Sequence, residues 1–366
     1  MAASRRQFLT TLLAASALPR LTWAAAGNPS YLAAARAPDG SYGLHGLAAT
    51  GESLFRIALP SRGHAAAAHP TRPEAVAFAR RPGTFALVIG CTGGAVLARL
   101  TPPEGRQFNG HGCYSADGRI LFTSEVVAET GEGRLGLWRA DGNYRRTGEW
   151  ATGGIGPHDV KRIPGTDRLV AANGGIRTDP LDRTPLNLET MRPNLALLSE
   201  SGEIADHAEL AAEYAQNSIR HLAVLPDETI AFAMQWQGDP AEPVPLLGLW
   251  RPGSAPRLCP PREADGFAMQ GYAGSIASDR AGEKIAITSP RGGVVQVYGR
   301  DGSPVTSYRR TDVCGIAASL QGFITTDGGG SISSLANGGD VKLLRHFPAA
   351  WDNHIVDLAG TTSAHS

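Results

Sequence analysis

HDVKRIPGTDRLVAAN, residues 158–173, decides the fold. Two short runs carrying β-branched and apolar side chains flank Pro-Gly-Thr-Asp, a cluster whose residues favour a tight turn. One such hairpin says little, but the layout returns along the chain. HAAAAHPTRPEAVAFA begins at His64, HGCYSADGRILFTSE at His111 and HLAVLPDETIAFAMQ at His221. SIASDRAGEKIAITSP begins at Ser275 and GIAASLQGFITTD at Gly315, while HIVDL at His354 has only the first run. Successive starts are 47, 47, 63, 54, 40 and 39 residues apart, near the roughly 40–50 residues of a four-stranded propeller blade.

The segments between the starts supply the outer strands. LGLWRADGNYRRTGEWA (135–151) and VVQVYGRDGSPVTSYR (294–309) each read as two strands joined by an Asp-Gly turn. The seventh start lacks three strands, and the N-terminal runs YLAAARA, SYGLHGLAAT and SLFRIAL, within 31–59, can supply them. The expected architecture is therefore all-β: a seven-bladed β-propeller closed by N-terminal strands that join the C-terminal innermost strand, which removes exposed sheet edges. A pair of β-sandwiches, the alternative, leaves seven starts unexplained. A length of 366 residues ordinarily suggests two domains, but repeat folds grow without a domain boundary. The 45 glycines and 25 prolines suit many turns.

Insertions fall at 173–194 in blade 3 and 235–245 in blade 4, both between second and third strands. Those loops share a face with the starts of the inner strands, so both insertions are expected around the mouth of the central channel. Residues 208–218 are read as a short helix before blade 4.

The N-terminus carries a second signal. Ser4-Arg5-Arg6-Gln7-Phe8-Leu9 resembles the twin-arginine export motif and precedes an apolar run over 9–18 and Ala24-Ala25-Ala26. Pro19 and Arg20 leave that run too short to span about 30 Å of hydrocarbon. The expected layout is a signal peptide over 1–26, the propeller over 27–361 and a tail over 362–366, with a periplasmic protein exported already folded and no membrane span once the signal is removed. With 34 basic and 34 acidic side chains, nothing suggests a nucleic-acid partner. Cys91, Cys113, Cys259 and Cys314 lack CxxC spacing; three pairings are open to them, and buried free thiols are the expected state.

Inner strands line the axis, so the residues at their starts meet at one height. Five of the seven starts are His64, His111, His158, His221 and His354; the others are Ser275 and Gly315. A histidine used only for packing would recur with its neighbours, and here the neighbours differ. Clustered neutral imidazoles suit Zn, Cu, Fe or Ni, which makes these five the candidate metal ligands. The expected cofactor is a transition metal ion, iron or copper first and zinc next. Asp159, Asn353, Asn109 and Arg220 are candidates to orient the imidazoles. Strand period two puts Cys113 below His111 on the same side, either as a soft ligand or simply buried. Met191 and Met234 offer thioethers near the mouth. His45, His69, His207, His346 and His365 are read as structural.

Several segments resemble a twin-arginine-exported bacterial family, domain of unknown function 1513. They are GHG at 110–112, GIGPHDV at 154–160, NGGI at 173–176, LNLETMRPNLALL at 186–198, SIRHLAV at 218–224 and AMQWQG at 233–238. TSPRGG at 288–293, DVCG at 312–315 and WDNH at 351–354 complete the match. The resemblance implies a periplasmic β-propeller, with partners among periplasmic metal-uptake or redox proteins, because members are often encoded beside imelysin-like and di-haem oxidoreductase-like proteins of iron uptake. It implies no established reaction. The histidine ring also resembles the copper-bearing arrangement in the propeller of nitrous oxide reductase, although the chain has nothing like that enzyme's cupredoxin domain.

The expected function is metal binding in iron or other metal acquisition or handling. The alternatives are a metal-dependent oxidoreductase or hydrolase at the same site, with Glu125, Asp159 or Asp327 as acid or base, and a metal-free interaction platform using Trp236, Met191 and Arg192. Walker, Rossmann, HExxH, CxxCH and GxSxG signatures are absent from the sequence.

Overall fold

The computed structural model describes residues 21–81, 84–337 and 339–358. Seven four-stranded antiparallel sheets hold the strands from Tyr31 to Asp357. In six sheets the strands follow chain order; the seventh places the C-terminal strand Ala350–Asp357 beside Tyr31–Arg36, followed by Tyr42–Leu47 and Ser53–Leu59. That is the expected closure. The innermost strands, in order of blades 1 to 7, are Gly63–Ala68, Arg106–Tyr114, Pro157–Arg162, Asn217–Val224, Ser275–Ser278, Val313–Ser319 and Ala350–Asp357.

Apolar side chains on facing sheets hold adjacent blades together. Between blades 1 and 2, Val76, Phe78 and Val88 pack with Phe108, Leu121 and Trp138. Phe78 is fully buried, a contribution of about 1.5–3 kcal/mol relative to exposure. The outermost strands are wetter: Val341–His346 is exposed along nearly its whole length and carries Lys342 and Arg345 on the open edge, charges that discourage pairing with another chain.

Six of the seven inner strands break register with their neighbour, all at one level. Asn109, Gly110 and His111 stand opposite a single residue, as do Asp352, Asn353 and His354. His64–Ala65, His158–Asp159 and Cys314–Gly315 form the corresponding bulges in blades 1, 3 and 6. In blade 4 the extra residue is Arg220. Only the blade 5 strand pairs without interruption. A bulge bends a strand and re-aims its side chains, so the propeller has a ring of bulges around its axis. Gly110 has φ +91°, and a Cβ there would lie 2.8 Å from His64 Cδ2, so glycine is required for the approach of blade 2 to blade 1.

The 173–194 insertion connects Leu169–Asn173 to Asn194–Leu198, as expected. Asn187 pins its base, accepting from the Arg177 amide at 2.7 Å and donating to Gly175 O at 2.9 Å. Its tip crosses the mouth: Arg183 Nη1 donates to Arg81 O of blade 1 at 3.2 Å. The expected helix at 208–218 is not formed. Strand Ile204–Glu209 runs into the segment, a single 3-10 turn covers Ala212–Tyr214, and Asn217 already begins the next strand. Antiparallel pairing with Asn194–Leu198 uses the residues a helix would need.

All four cysteines are free, and no helix among the described residues is long and apolar enough to cross a membrane. The export motif, its apolar run and the tail with His365 lie outside the described residues. Trp23, just before the alanine run, is buried against the blade 1 core and donates to His69 O at 2.9 Å.

Candidate metal centre

The five histidines meet. Going round, ring centroids are 4.6 Å apart for His354 and His64, 5.0 Å for His64 and His111, and 4.7 Å for His111 and His158. His158 to His221 and His221 to His354 are each 4.7 Å. His221 and His354 belong to blades 4 and 7, so the circle skips two blades. The intervening positions hold Ser275 and Gly315, and these small residues leave the space in which the two imidazoles touch. A seven-fold frame thereby carries a five-membered ring. His111 is the most central, also lying 5.0 Å from His354 and 5.6 Å from His221.

The histidines are not first residues of their strands, as the sequence reading had them. In blades 2, 4 and 7 the strand starts several residues earlier, and what places four of the five is membership of the bulge. The same break decides between the two readings of Cys113: it is not among the clustered ligands but packs as a small apolar residue. Beyond the bulge the ladder resumes with Cys113 opposite Phe122, and its side chain packs with Phe122 and Leu135 between blades. Burial pushes its thiol pKa up to about 12. Cys314 is likewise held as a thiol, its Sγ donating to Asp352 O at 3.3 Å. Met191 and Met234 are buried away from solvent, Met234 in the core between blades 3 and 4.

Burial drives four of the imidazoles, those of His64, His158, His221 and His354, toward the neutral form. His64 is lowered to about 4, and His158, His221 and His354 lie well below the usual histidine range, burial first and neighbouring imidazoles second. Neutral rings have a lone pair to give. His111 Nε2, His158 Nδ1 and His354 Nε2 are buried without a hydrogen-bond partner. Leaving buried polar atoms unpartnered costs about 1–3 kcal/mol each, and three of them within one ring of histidines call for a partner.

The donor set fits a cation. His64, His111 and His158 place one nitrogen each within 4.8 Å of the others, and His111, His221 and His354 do the same. Nitrogens bound to one ion at about 2.1 Å lie no more than about 4.2 Å apart, so each trio needs an inward shift well under an ångström.

Two carboxylates back the ring. Asp159 Oδ1 is 3.5 Å from His111 Nδ1 and 3.4 Å from Lys161 Nζ, and its carboxylate accepts from the amides of Val160 and Leu222. Burial alone would raise its pKa; Lys161 and His111 hold it well below the usual range. Asp352, which the sequence reading passed over for Asn353, is 3.5 Å from His64 Nδ1 and takes hydrogen bonds from Arg62 and Arg80. Burial opposes ionisation there too, yet His64 and the arginines bring it down to about 2. Ser275 Oγ stands 3.5 Å from His354 Nδ1. Of the expected helpers Asp159 does stand against a ring histidine, whereas Asn109 donates to Pro157 O at 2.5 Å and Arg220 has a buried, unpartnered Nε. A buried carboxylate in an apolar strand is the signal that could have singled out Asp352.

The other acids have structural partners. Glu125 is fully buried, bonded to Arg146 and Thr123, and Asp327 accepts from Arg310 and the Ser331 amide. His45 faces Ser53 and Trp351, and His69 orders a turn, as expected of structural histidines.

The family profile described as "Protein of unknown function (DUF1513)" matches residues 57–358. No curated protein matches the chain. Among solved structures, Kuenenia stuttgartiensis hydrazine synthase is similar at TM-score 0.60 and 14% identity, over 87% of this chain and 96% of that one. At that identity the likeness concerns the fold alone.

Proposed function

The chain belongs to the DUF1513 family, whose description assigns no reaction, and from its central site we propose that it is a periplasmic metal-binding propeller. His64, His111, His158, His221 and His354 are the proposed ligands, with iron or copper as the metal and metal acquisition or handling as the role. One observation carries this reading: buried imidazole nitrogens of His111, His158 and His354, on three different blades, lack any partner, and the five histidines form two close trios that share His111. Neutral imidazole is a borderline donor suited to late divalent ions. The export motif at 4–9 supports the compartment, because that route carries folded proteins and so permits loading before export.

Elemental analysis of protein purified from the periplasm tests the proposal. One equivalent or more of a transition metal is expected, lost in His111→Ala and His158→Ala. Metal content below a tenth of an equivalent in the wild type, or unchanged content in both variants, would overturn it.

A second reading has its own support. Each trio supplies three nitrogens, and a three-ligand site leaves a position open for water or substrate. A metal-dependent enzyme is the alternative on that ground, and an exchange-inert, fully saturated metal spectrum would remove it.

A further inference from the structure

Beside the histidine ring, on the side of the insertion loops, is a chamber of about 140 Å³. Arg81, Arg183 and Arg220 reach it from blades 1, 3 and 4, joined by Asn109, Pro157 and Gln237. Three of these residues adjoin ring histidines in the chain: Asn109 is two before His111, Pro157 precedes His158, and Arg220 precedes His221.

The charges here are unbalanced. Among the described residues, Arg62 and Arg80 share Asp352, but Arg81 and Arg220 have neither a carboxylate nor a hydrogen-bond acceptor. Arg183 has only the carbonyl of Arg81. Arg220 Nε is a buried donor without a partner; Asn109 lines the chamber but its NH2 is already given to Pro157 O. Burial and mutual repulsion bring the Arg81 guanidinium down to about 9 and burial brings Arg220 to about 10, still charged near neutral pH. The whole chain has equal numbers of acids and bases, so this concentration is local. Arg81 and Arg220 are partly withdrawn from water without a counter-charge, which is costly, and a planar fork offers paired donors matched to carboxylate or phosphate oxygens. Packing alone gives no reason for three to converge.

We propose that the chamber formed by Arg81, Arg183, Arg220 and Asn109 is a binding site for a small oxyanion, of carboxylate or phosphate class, next to the histidine ring. Its volume suits a ligand of few heavy atoms. The Arg183 arm belongs to the insertion that crosses the mouth, so the anion also ties that loop to blade 1. A bound anion would offset the charge of any cation held by neutral imidazoles, but the chamber needs no metal to be complete.

Calorimetry on chelator-treated full-length mature protein tests this with inorganic phosphate and, separately, malonate. Saturable binding of one equivalent of either anion is expected, weakening with added sodium chloride. Arg183→Gln, on an exposed loop, and Arg220→Gln should each raise the dissociation constant at least tenfold, with circular dichroism unchanged for Arg183→Gln. Phosphate alone, malonate alone or both binding supports the site and sorts tetrahedral from planar ligands. No saturable binding of either anion, or binding unaltered in Arg183→Gln, overturns it. His111→Ala should keep anion binding while losing metal, so the anion site and the metal reading can fail separately.

Discussion

His111 Nδ1 lies 3.5 Å from Asp159 Oδ1 across the boundary between blades 2 and 3, while the Nε2 of the same ring is buried with no partner. The carboxylate favours the tautomer with its proton on Nδ1 and so leaves the Nε2 lone pair toward the centre. Replacing Asp159 with Asn keeps an acceptor for only one of the Val160 and Leu222 amides, which use different oxygens, and removes the charge that selects this tautomer. Metal affinity of Asp159→Asn should fall about 10–100-fold, read by competition with a chelator of known strength. An affinity within twofold of wild type would mean that Asp159 serves only to fasten blades 3 and 4.

Asp352 joins three blade 1 side chains, Arg62, His64 and Arg80, to the C-terminal closing strand. Its folded pKa of about 2 lies below the ordinary value of 3.8. The unfolded chain therefore takes up this proton first as pH falls. The contribution to stability is full above about pH 4 and is lost through about pH 2. Arg62 is half exposed, which weakens its share by screening. Asp352→Asn should cost about 1–3 kcal/mol at pH 7 in metal-free protein, with a shallower loss of stability between pH 4 and 2. Urea unfolding at several pH values measures both, and wild-type stability in the variant would deny the carboxylate a closing role.

The blades were legible because their turns and alternating runs are local: Asp141-Gly142 and Asp301-Gly302 sit at outer hairpins, and the runs at 31–59 complete the last sheet. The histidines were legible through recurrence alone. The bulges were not, since a period-two reading presumes an unbroken ladder, and three residues facing one at 109–111 take His111 itself out of the ladder to which Cys113 belongs. Hence Cys113 was placed with His111 when it packs between blades. Asp352 escaped for another reason: its partner His64 is 288 residues away, and adjacency across the closure seam leaves no trace in spacing. The arginine chamber has the same character, with each residue supplied by a different blade.

Gly110 is the narrowest point between blades 1 and 2, with φ +91° and His64 Cδ2 only 2.8 Å from where a Cβ would stand. Gly110→Ala forces a side chain onto left-handed backbone, costing about 1–2 kcal/mol, and displaces the His64 ring. Stability of the metal-free protein should drop by at least that amount in urea, with metal affinity falling as well. A drop in stability without any change in affinity would show that His64 stands outside the ligand set, leaving the trio of His111, His221 and His354.

His69 gives a pH effect remote from the centre. Its Nδ1 accepts from the amides of Thr71 and Arg72 at 3.1 and 2.9 Å, and its Nε2–H donates to Gly118 O at 3.1 Å. Protonation would turn an accepting nitrogen toward two amide donors. Burial, with the nearby Arg72 charge second, lowers the imidazole from 6.5 to about 4. Between those values the unfolded chain binds a proton that the folded chain refuses, so stability falls as pH drops from about 6.5 to about 4 and levels off below. His69→Asn retains an acceptor for the turn amides and does not titrate. In metal-free protein the variant should recover about 1–2 kcal/mol of the wild-type loss across that window, even if its stability at pH 8 is lower. Parallel pH–stability curves for the two proteins would show that His69 is already charged, or already released from its turn, in the folded state.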